Sequence, residues 1–184
     1  MHATRSLAMR YLLVLCIALT VFSVQCRAAD KPKSAWDSIN TRLKTLSPFE
    51  RRSIVICVRG QFTLNYDKTV KHNLERDAMN QLWAWKVYSR ASVLMSRLAE
   101  SAEWPEMEQY FRQEANDSSS RIRGQIDNEQ YLNLAKKNEL VLSAALDPER
   151  PRLATHVANF QKHEKLCTDA SSQVIGNAKL HASQ

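Results

Sequence analysis

Apolar residues recur at three- and four-residue steps along most of this chain, which is the spacing of one face of an α-helix. The resulting stripes include Trp36, Ile39, Leu43 and Leu46; Leu82, Trp85, Tyr88, Ala91, Met95 and Leu98; Met107, Phe111, Glu114 and Ser118; and Leu153, Val157, Phe160 and Cys167. They predict helices at about 34–46, 48–60, 66–101, 105–145 and 148–170, with a short tail helix near residues 174–178. The predicted fold is all-α, one bundle of about four to five helices.

Short sequence signals place some of the helix ends. Ser47-Pro48-Phe49-Glu50 is a capping box with proline at the first helical position. Asp147-Pro148 repeats the order of a capping residue followed by proline. The long segment 105–145 is expected to break near residues 116–120 or at Gly124, because Asn, Asp and Ser compete for backbone hydrogen bonds and glycine weakens a helix.

Residues 54–66 allow two interpretations. The run Ile54–Val58, then Arg59-Gly60, then an alternating polar and apolar segment could form a hairpin. The capping box directly upstream favours a helix that continues into this region. We therefore expect a helix, with the hairpin as the alternative.

The first 28 residues have the order of a secretory signal peptide. Arg5 and Arg10 are followed by a run of fourteen residues from Tyr11 to Val24 that is apolar except for Thr20 and Ser23, and the next segment, 25–29, ends in small residues. The sequence therefore predicts a signal peptide at 1–28, cleaved after Ala28, and one helical domain at 29–184. An uncleaved N-terminal anchor is the alternative. Export would place the protein in the periplasm or outside the cell.

Four cysteines are present, and Cys16 and Cys26 lie in the predicted leader. The remaining pair, Cys57 and Cys167, would be in an oxidising compartment, where an even pair indicates a disulfide bond. Two separate buried thiols are the alternative. A redox-active pair is disfavoured because the chain has no Cys-x-x-Cys spacing.

One set of residues has the chemistry of a metal site. His156, His163 and Cys167 fall at i, i+7 and i+11, which places them on one stripe of a continuous helix, and two imidazoles with a thiolate suit zinc. The competing interpretation is that Cys167 is oxidised and the two histidines are solvated. We expect no metal and no cofactor.

Catalytic motifs are absent from the sequence: it contains no Gly-x-Ser-x-Gly, no Ser-x-x-Lys and no phosphate-binding glycine loop. A pair of carboxylates in a cleft could still act without a motif. The closest acids in sequence are Glu100, Glu103, Glu106 and Glu108, and such a run is more typical of a solvated face. An enzyme is therefore the less favoured interpretation.

Three tryptophans are candidates for an interaction surface. Trp83 and Trp85 are two residues apart and cannot point to the same side of a helix, and Trp104 ends the same stretch. Either the helix is central and buried nearly all round, or part of this set forms an exposed apolar patch that binds a partner.

Charge is distributed unevenly along the chain. Residues 31–90 carry twelve Lys or Arg and five acidic residues, a net of +7, and residues 91–120 have a net of −4. Such patches orient a protein toward its partners. The leading hypothesis is an exported, non-enzymatic protein that binds another envelope protein, as an immunity, inhibitor or chaperone-like factor. Alternatives are a small envelope-acting hydrolase or a metal or haem carrier. No nucleic-acid partner is expected, and contact with an anionic membrane surface is a further alternative.

Overall fold

A computed structural model describes residues 34–66 and 77–183, and this part of the chain is helical, with no β-strand. Its elements are α1 (Ala35–Lys44), α2 (Pro48–Asn65), α3 (Ala78–Ser101), α4 (Pro105–Ile122), α5 (Asn128–Leu146), a 3₁₀ helix (Asp147–Arg152), α6 (Leu153–Lys162) and α7 (Glu164–Ala182). The predicted all-α class is confirmed. There are more helices than expected because two predicted segments are divided. The predicted signal peptide, at 1–28, lies outside the described residues.

Helix α2 begins at the predicted capping box. The Ser47 hydroxyl accepts a hydrogen bond from the Glu50 backbone N–H at 3.3 Å, and the Glu50 carboxylate accepts one from the Ser47 N–H at 3.0 Å. The helix then runs without a break to Asn65. The helical interpretation of residues 54–65 is therefore confirmed, and the hairpin alternative is wrong.

Helix α3 occupies the centre of the bundle and packs against α1, α2, α4 and α7. Its buried residues cover more than one side, as a central helix requires: Ala84, Val87, Ala91, Ser92, Leu94, Met95, Ser96, Leu98 and Ala99. Many of them are Ala or Ser, and small side chains let neighbouring helices approach closely. The predicted stripe was partly out of phase, since Leu82 is 38% exposed and Val87 is buried.

The predicted break in 105–145 occurs at the glycine. Helix α4 ends at Ile122, and Gly124 takes the left-handed φ of 67° that ends many helices. Helix α5 starts after Asp127, whose side chain accepts from the Gln130 N–H at 2.8 Å. The alternative break at 116–120 is wrong, because these residues continue α4 and Ser118 hydrogen-bonds back to the Glu114 carbonyl.

The predicted helix 148–170 is wrong in both continuity and phase. The chain forms a 3₁₀ helix to Arg152, then α6, and a break at His163 separates α6 from α7. Leu153 and Val157, predicted to be buried, are 60% and 44% exposed, whereas His156 is 1% exposed. The helix turns its histidine inward because that side chain finds hydrogen-bond partners there.

Cys57 on α2 and Cys167 on α7 form the predicted disulfide bond, with their Sγ atoms 1.94 Å and their Cα atoms 6.2 Å apart. The bond joins residues 110 positions apart in sequence. Cys167 is buried against the apolar core. The disulfide therefore fixes α7 beside α2. It lies at one end of a groove between the two helices.

Candidate functional site

The three residues considered for zinc binding each have another partner. Cys167 is bonded to Cys57, and His163 Nε2 lies 3.1 Å from a carboxylate oxygen of Glu50. Both ring nitrogens of His156 contact other side chains, described below. Within 34–66 and 77–183, no three His, Cys, Asp or Glu side chains form a group that could hold a metal ion. His156, His163 and Cys167 also do not lie on one face of a continuous helix, because the helix breaks at His163.

A buried hydrogen-bonded chain surrounds His156. Its Nδ1 is 2.8 Å from Ser53 Oγ, and its Nε2 is 3.2 Å from Glu149 Oε2. Arg52 donates to the other Glu149 oxygen at 2.7 Å, and the Asn159 amide donates to Ser53 Oγ at 3.0 Å. This chain connects α2, the 3₁₀ helix and α6.

The partners of His156 indicate its protonation state. Burial is the main cause that lowers the pKa of His156 from its ordinary 6.5, and it outweighs the opposing effect of Glu149. With a neutral ring, Nε2–H donates to Glu149 and Nδ1 accepts from the Ser53 hydroxyl, whose one hydrogen is shared with the Phe49 carbonyl oxygen 3.0 Å away. Phe49 stacks on the ring with 4.5 Å between centroids, which completes the apolar enclosure.

Ser53, His156 and Glu149 are the residue types of a nucleophilic triad, but their burial excludes that role in this conformation. Ser53 is 0% exposed, so no substrate carbonyl can reach its hydroxyl. The arrangement instead satisfies polar groups at a junction of three elements. This cluster could not be predicted from local sequence patterns because Ser53 and His156 are 103 positions apart. The one available signal was a histidine at the wrong phase for the assumed apolar stripe.

A second buried network contains two carboxylates on α4. Glu114 and Asp117 are 4% and 6% exposed, and the Asn138 amide nitrogen lies 2.9 Å from an oxygen of each. Tyr88 donates to the other Glu114 oxygen, and Gln113 donates to the other Asp117 oxygen at 2.8 Å. Every carboxylate oxygen of this pair therefore accepts a hydrogen bond from the protein.

Tyrosines enclose Glu114. Burial, followed by the charge of Glu114, raises the pKa of Tyr88 well above its ordinary value and that of Tyr110 to about 12. The same two causes raise the pKa of Tyr131. Tyr88 therefore stays a neutral hydrogen-bond donor at physiological pH. The sequence analysis placed Glu114 on a buried stripe but did not identify its partners.

The acidic run that was considered for catalysis lies largely in solvent. Glu100 and Glu106 are exposed. Glu103 receives two hydrogen bonds from the Arg51 guanidinium, at 3.0 and 2.7 Å, and Glu108 pairs with Arg112. The run therefore forms helix-end and surface ion pairs rather than a facing acid pair.

The three tryptophans do not share one exposed surface. Trp104 is 2% exposed and lies in the core, where the Arg52 guanidinium stands 5.5 Å from its ring centroid. Trp83 and Trp85 are partly buried and pack against the core and Tyr131, respectively. Trp104 was wrongly included in the predicted interaction patch, because the bundle covers its ring. A role of Trp83 and Trp85 in such a patch stays a prediction.

A groove of about 450 Å³ runs between α2 and α7, starting at the disulfide. Its lining consists of Gln61 and Asn65 on α2 and of Cys167, Thr168, Ser171, Ser172, Ile175, Gly176 and Lys179 on α7. Both sets of residues follow their cysteine in sequence, so the two walls extend from the disulfide in the same direction. Among the described residues, the lining contains amides, hydroxyls and one ammonium group, and no carboxylate, imidazole or free thiol.

Comparisons with protein-family models, with curated proteins and with solved structures give no match to this chain. Among the helices of the described residues, none combines the length and the apolar character needed to cross a membrane.

Proposed function

We propose that this protein is exported and acts by binding another envelope or secreted protein, without catalysing a reaction. In its more specific form, the proposal is an immunity, inhibitor or chaperone-like role. The observation that carries it is the composition of the groove between α2 and α7. That surface offers hydrogen-bond donors and acceptors beside Ile175 and the disulfide, which suits recognition, and its described lining residues include no pair of groups for proton transfer.

The disulfide supports the compartment in this proposal. Bonds of this kind persist in the periplasm and outside the cell and are rare in the cytosol. The Cys57–Cys167 bond connects two helices that both line the groove, so it also holds the proposed binding surface in place. The leader-like segment at 1–28 supports export independently.

The polar clusters inside the bundle favour binding over catalysis. Ser53, His156 and Glu149 are buried, and the oxygens of Glu114 and Asp117 all accept hydrogen bonds from side chains. A hydrolase that used these groups would have to open the bundle. The alternative, an envelope-acting hydrolase, predicts that the protein cleaves an envelope polymer. It also predicts that Glu114→Gln abolishes this activity while the protein stays folded.

A capture experiment tests the proposed function. Residues 29–184, purified oxidised and immobilised through a C-terminal tag, are incubated with an envelope extract and with culture supernatant from the source organism. We expect one stoichiometric protein partner that survives washing at 0.15 M salt and re-forms the complex after both proteins are purified. Recovery of background proteins alone from both fractions would refute the proposal.

Export is tested separately on the native protein. Fractionation followed by mass spectrometry should find a chain that begins after Ala28 in the periplasm or the medium, with both remaining cysteines protected from alkylation. A cytosolic chain that retains its N-terminal residues, with free thiols, would contradict export.

A further inference from the structure

Gly176 leaves the groove open at the middle of a helix. It lies within α7 and is exposed, and a Cβ built there would meet nothing within 4 Å. Glycine inside a helix costs about 0.5–1 kcal/mol relative to alanine. Because no neighbouring side chain requires glycine at this position, the available space allows another backbone to approach α7 closely.

A buried hydroxyl in the same wall has no partner. Ser171 is 7% exposed and lines the groove, and its Oγ makes no hydrogen bond within the described part of the chain. A buried polar group left without a partner costs about 1–3 kcal/mol. The Oγ atom is shielded from solvent in the free protein, so a carbonyl or N–H group in the groove would remove this cost only after the Ser171 side chain turns toward the groove.

The other polar groups of the groove suit an extended chain. Gln61, Asn65, Thr168 and Ser172 supply donors and acceptors along both walls. An α-helix has already paired its backbone groups internally, whereas an extended peptide must find external partners for them. The hydrogen-bonding lining therefore favours an extended peptide over a helix.

Among the described residues that line the groove, the one charged side chain lies at one end. Along α7 the lining residues run from Cys167 to Lys179, twelve positions or roughly 18 Å at 1.5 Å per residue. That is the length of about five residues of extended chain. Lys179 is the last lining residue, and within the described part of the chain its ammonium group has no ion-pair partner. A neutral row that ends in one cation complements a chain whose charge is at its terminus.

We infer that the groove between α2 and α7 binds the C-terminal end of a partner polypeptide in extended form, with the terminal carboxylate at Lys179 and main-chain groups at Ser171. The inference rests on the proposed function and specifies its ligand. Ile175 and the disulfide provide apolar contact for one side chain of the bound segment. Capture of a C-terminal carboxylate by positioned donors is a known mode of peptide recognition.

The inference is tested with random pentapeptide libraries labelled with fluorescein at the N-terminus. One library has a free terminal carboxylate, one is amidated, and one is amidated with a central glutamate. The oxidised protein, residues 29–184, should retain the free-acid library at least tenfold better than either amidated library. Equal retention of the free and amidated libraries would overturn the inference. Equally strong retention of the glutamate library would show that a side-chain carboxylate suffices and would also overturn it.

Two glycine substitutions provide a matched pair. Gly176→Leu fills the groove, and Gly60→Leu places the same side chain on α2 outside the groove lining, where a Cβ also meets nothing within 4 Å. Both should keep or raise the melting temperature because leucine is the better helix former. We expect Gly176→Leu to lose at least tenfold in retention and Gly60→Leu to match the parent protein. Equal retention by the two variants would overturn the inference.

Lys179→Gln tests the charge. The variant should bind the free-acid and amidated libraries equally, whereas the parent protein prefers the free acid. If Lys179 only complements the C-terminal dipole of α7, its replacement will lower stability slightly and leave the preference unchanged, and the inference fails.

The capture experiment separates the two levels of the proposal. A partner that binds the parent protein and Gly176→Leu equally well would leave the proposed function standing and refute the groove as its site. Failure of the parent protein to capture any partner would refute the proposed function itself.

Discussion

Acidification from pH 7.5 to 5.5 should destabilise this protein through His156. The ring is buried between Ser53 and Glu149, and burial lowers its pKa below the ordinary 6.5. The unfolded chain therefore takes up the proton first as the pH falls. This contribution to stability is fully present above pH 6.5 and is lost as the pH drops below that value.

The size of the effect follows from the proton uptake of the unfolded state. Between pH 7.5 and 5.5 a histidine of ordinary pKa goes from mostly neutral to mostly charged. The free energy of unfolding then decreases by at most about 1.4 kcal/mol, which is the value for a folded state that stays neutral over the whole range. The charges near the ring are Glu149 and Arg152 on the 3₁₀ helix, and Arg52 on α2 reaches it through Glu149.

Urea unfolding at pH 7.5, 6.5 and 5.5 measures this decrease. His156→Gln keeps a hydrogen-bonding side chain but cannot take up a proton. Whatever its absolute stability, its free energy of unfolding should therefore lack the decrease between pH 7.5 and 5.5 that is due to His156. His163→Gln is the control, since it also replaces an imidazole with an amide, but at a partly buried ring that contacts Glu50 rather than Glu149.

Glu50 also makes the stability depend on pH, but at lower pH, so its effect can be separated from that of His156. The hydrogen bond from Lys162, and then that from His163, lowers the pKa of Glu50 far below 4.5. Its contribution is present above that value and lost only as the pH falls further. Parallel curves for the parent protein and His156→Gln between pH 7.5 and 5.5 would refute the argument that His156 is held neutral by burial.

Three further predictions concern stability at pH 7.5, and urea unfolding checks each. Replacing both Cys57 and Cys167 with serine should lower the unfolding free energy by about 4–5 kcal/mol, because it opens a 110-residue loop. A loss below about 1 kcal/mol would contradict this. A change in the stability of the double variant on addition of dithiothreitol would also contradict it. Asn138→Ala should cost about 2–4 kcal/mol because two buried carboxylates lose a donor, and an unchanged midpoint would contradict it. Gly60→Ala should add about 0.5–1 kcal/mol, since its Cβ enters open space, and a loss of stability would show that the glycine has a local role.

Local signals determined the parts of the fold that the sequence predicted well. The capping box at Ser47 and the glycine at 124 each act within about one helical turn, so their effects can be read from adjacent residues. The disulfide was predictable because a single pair of cysteines was left after the leader. The Trp36 to Leu46 stripe was also right, with Ile39 and Leu43 fully buried.

Contacts between distant segments determined what the sequence did not show. Leu153 and Val157 have the right spacing for a buried stripe, but α6 turns His156 inward because Ser53 and Glu149 lie there. Periodicity counts apolar residues and cannot register a buried polar group whose partner is a hundred positions away. The groove was not predicted for the same reason. The residues of its two walls lie about a hundred positions apart in the sequence, and most of them are small and polar.

The packing of helix α7 suits the binding role that we propose for the groove, although the groove has few large side chains. Ala170, Val174 and Ala178 are fully buried and recur every four residues, so they anchor one face of α7 in the core. Ser171 and Lys179 lie one position further along the helix, about 100° around it, and face the groove. The core stripe and the disulfide at one end of the groove thus fix the wall before a ligand arrives. If the groove binds a peptide end as we propose, little ordering of its wall would be required, and modest contacts would translate more fully into affinity.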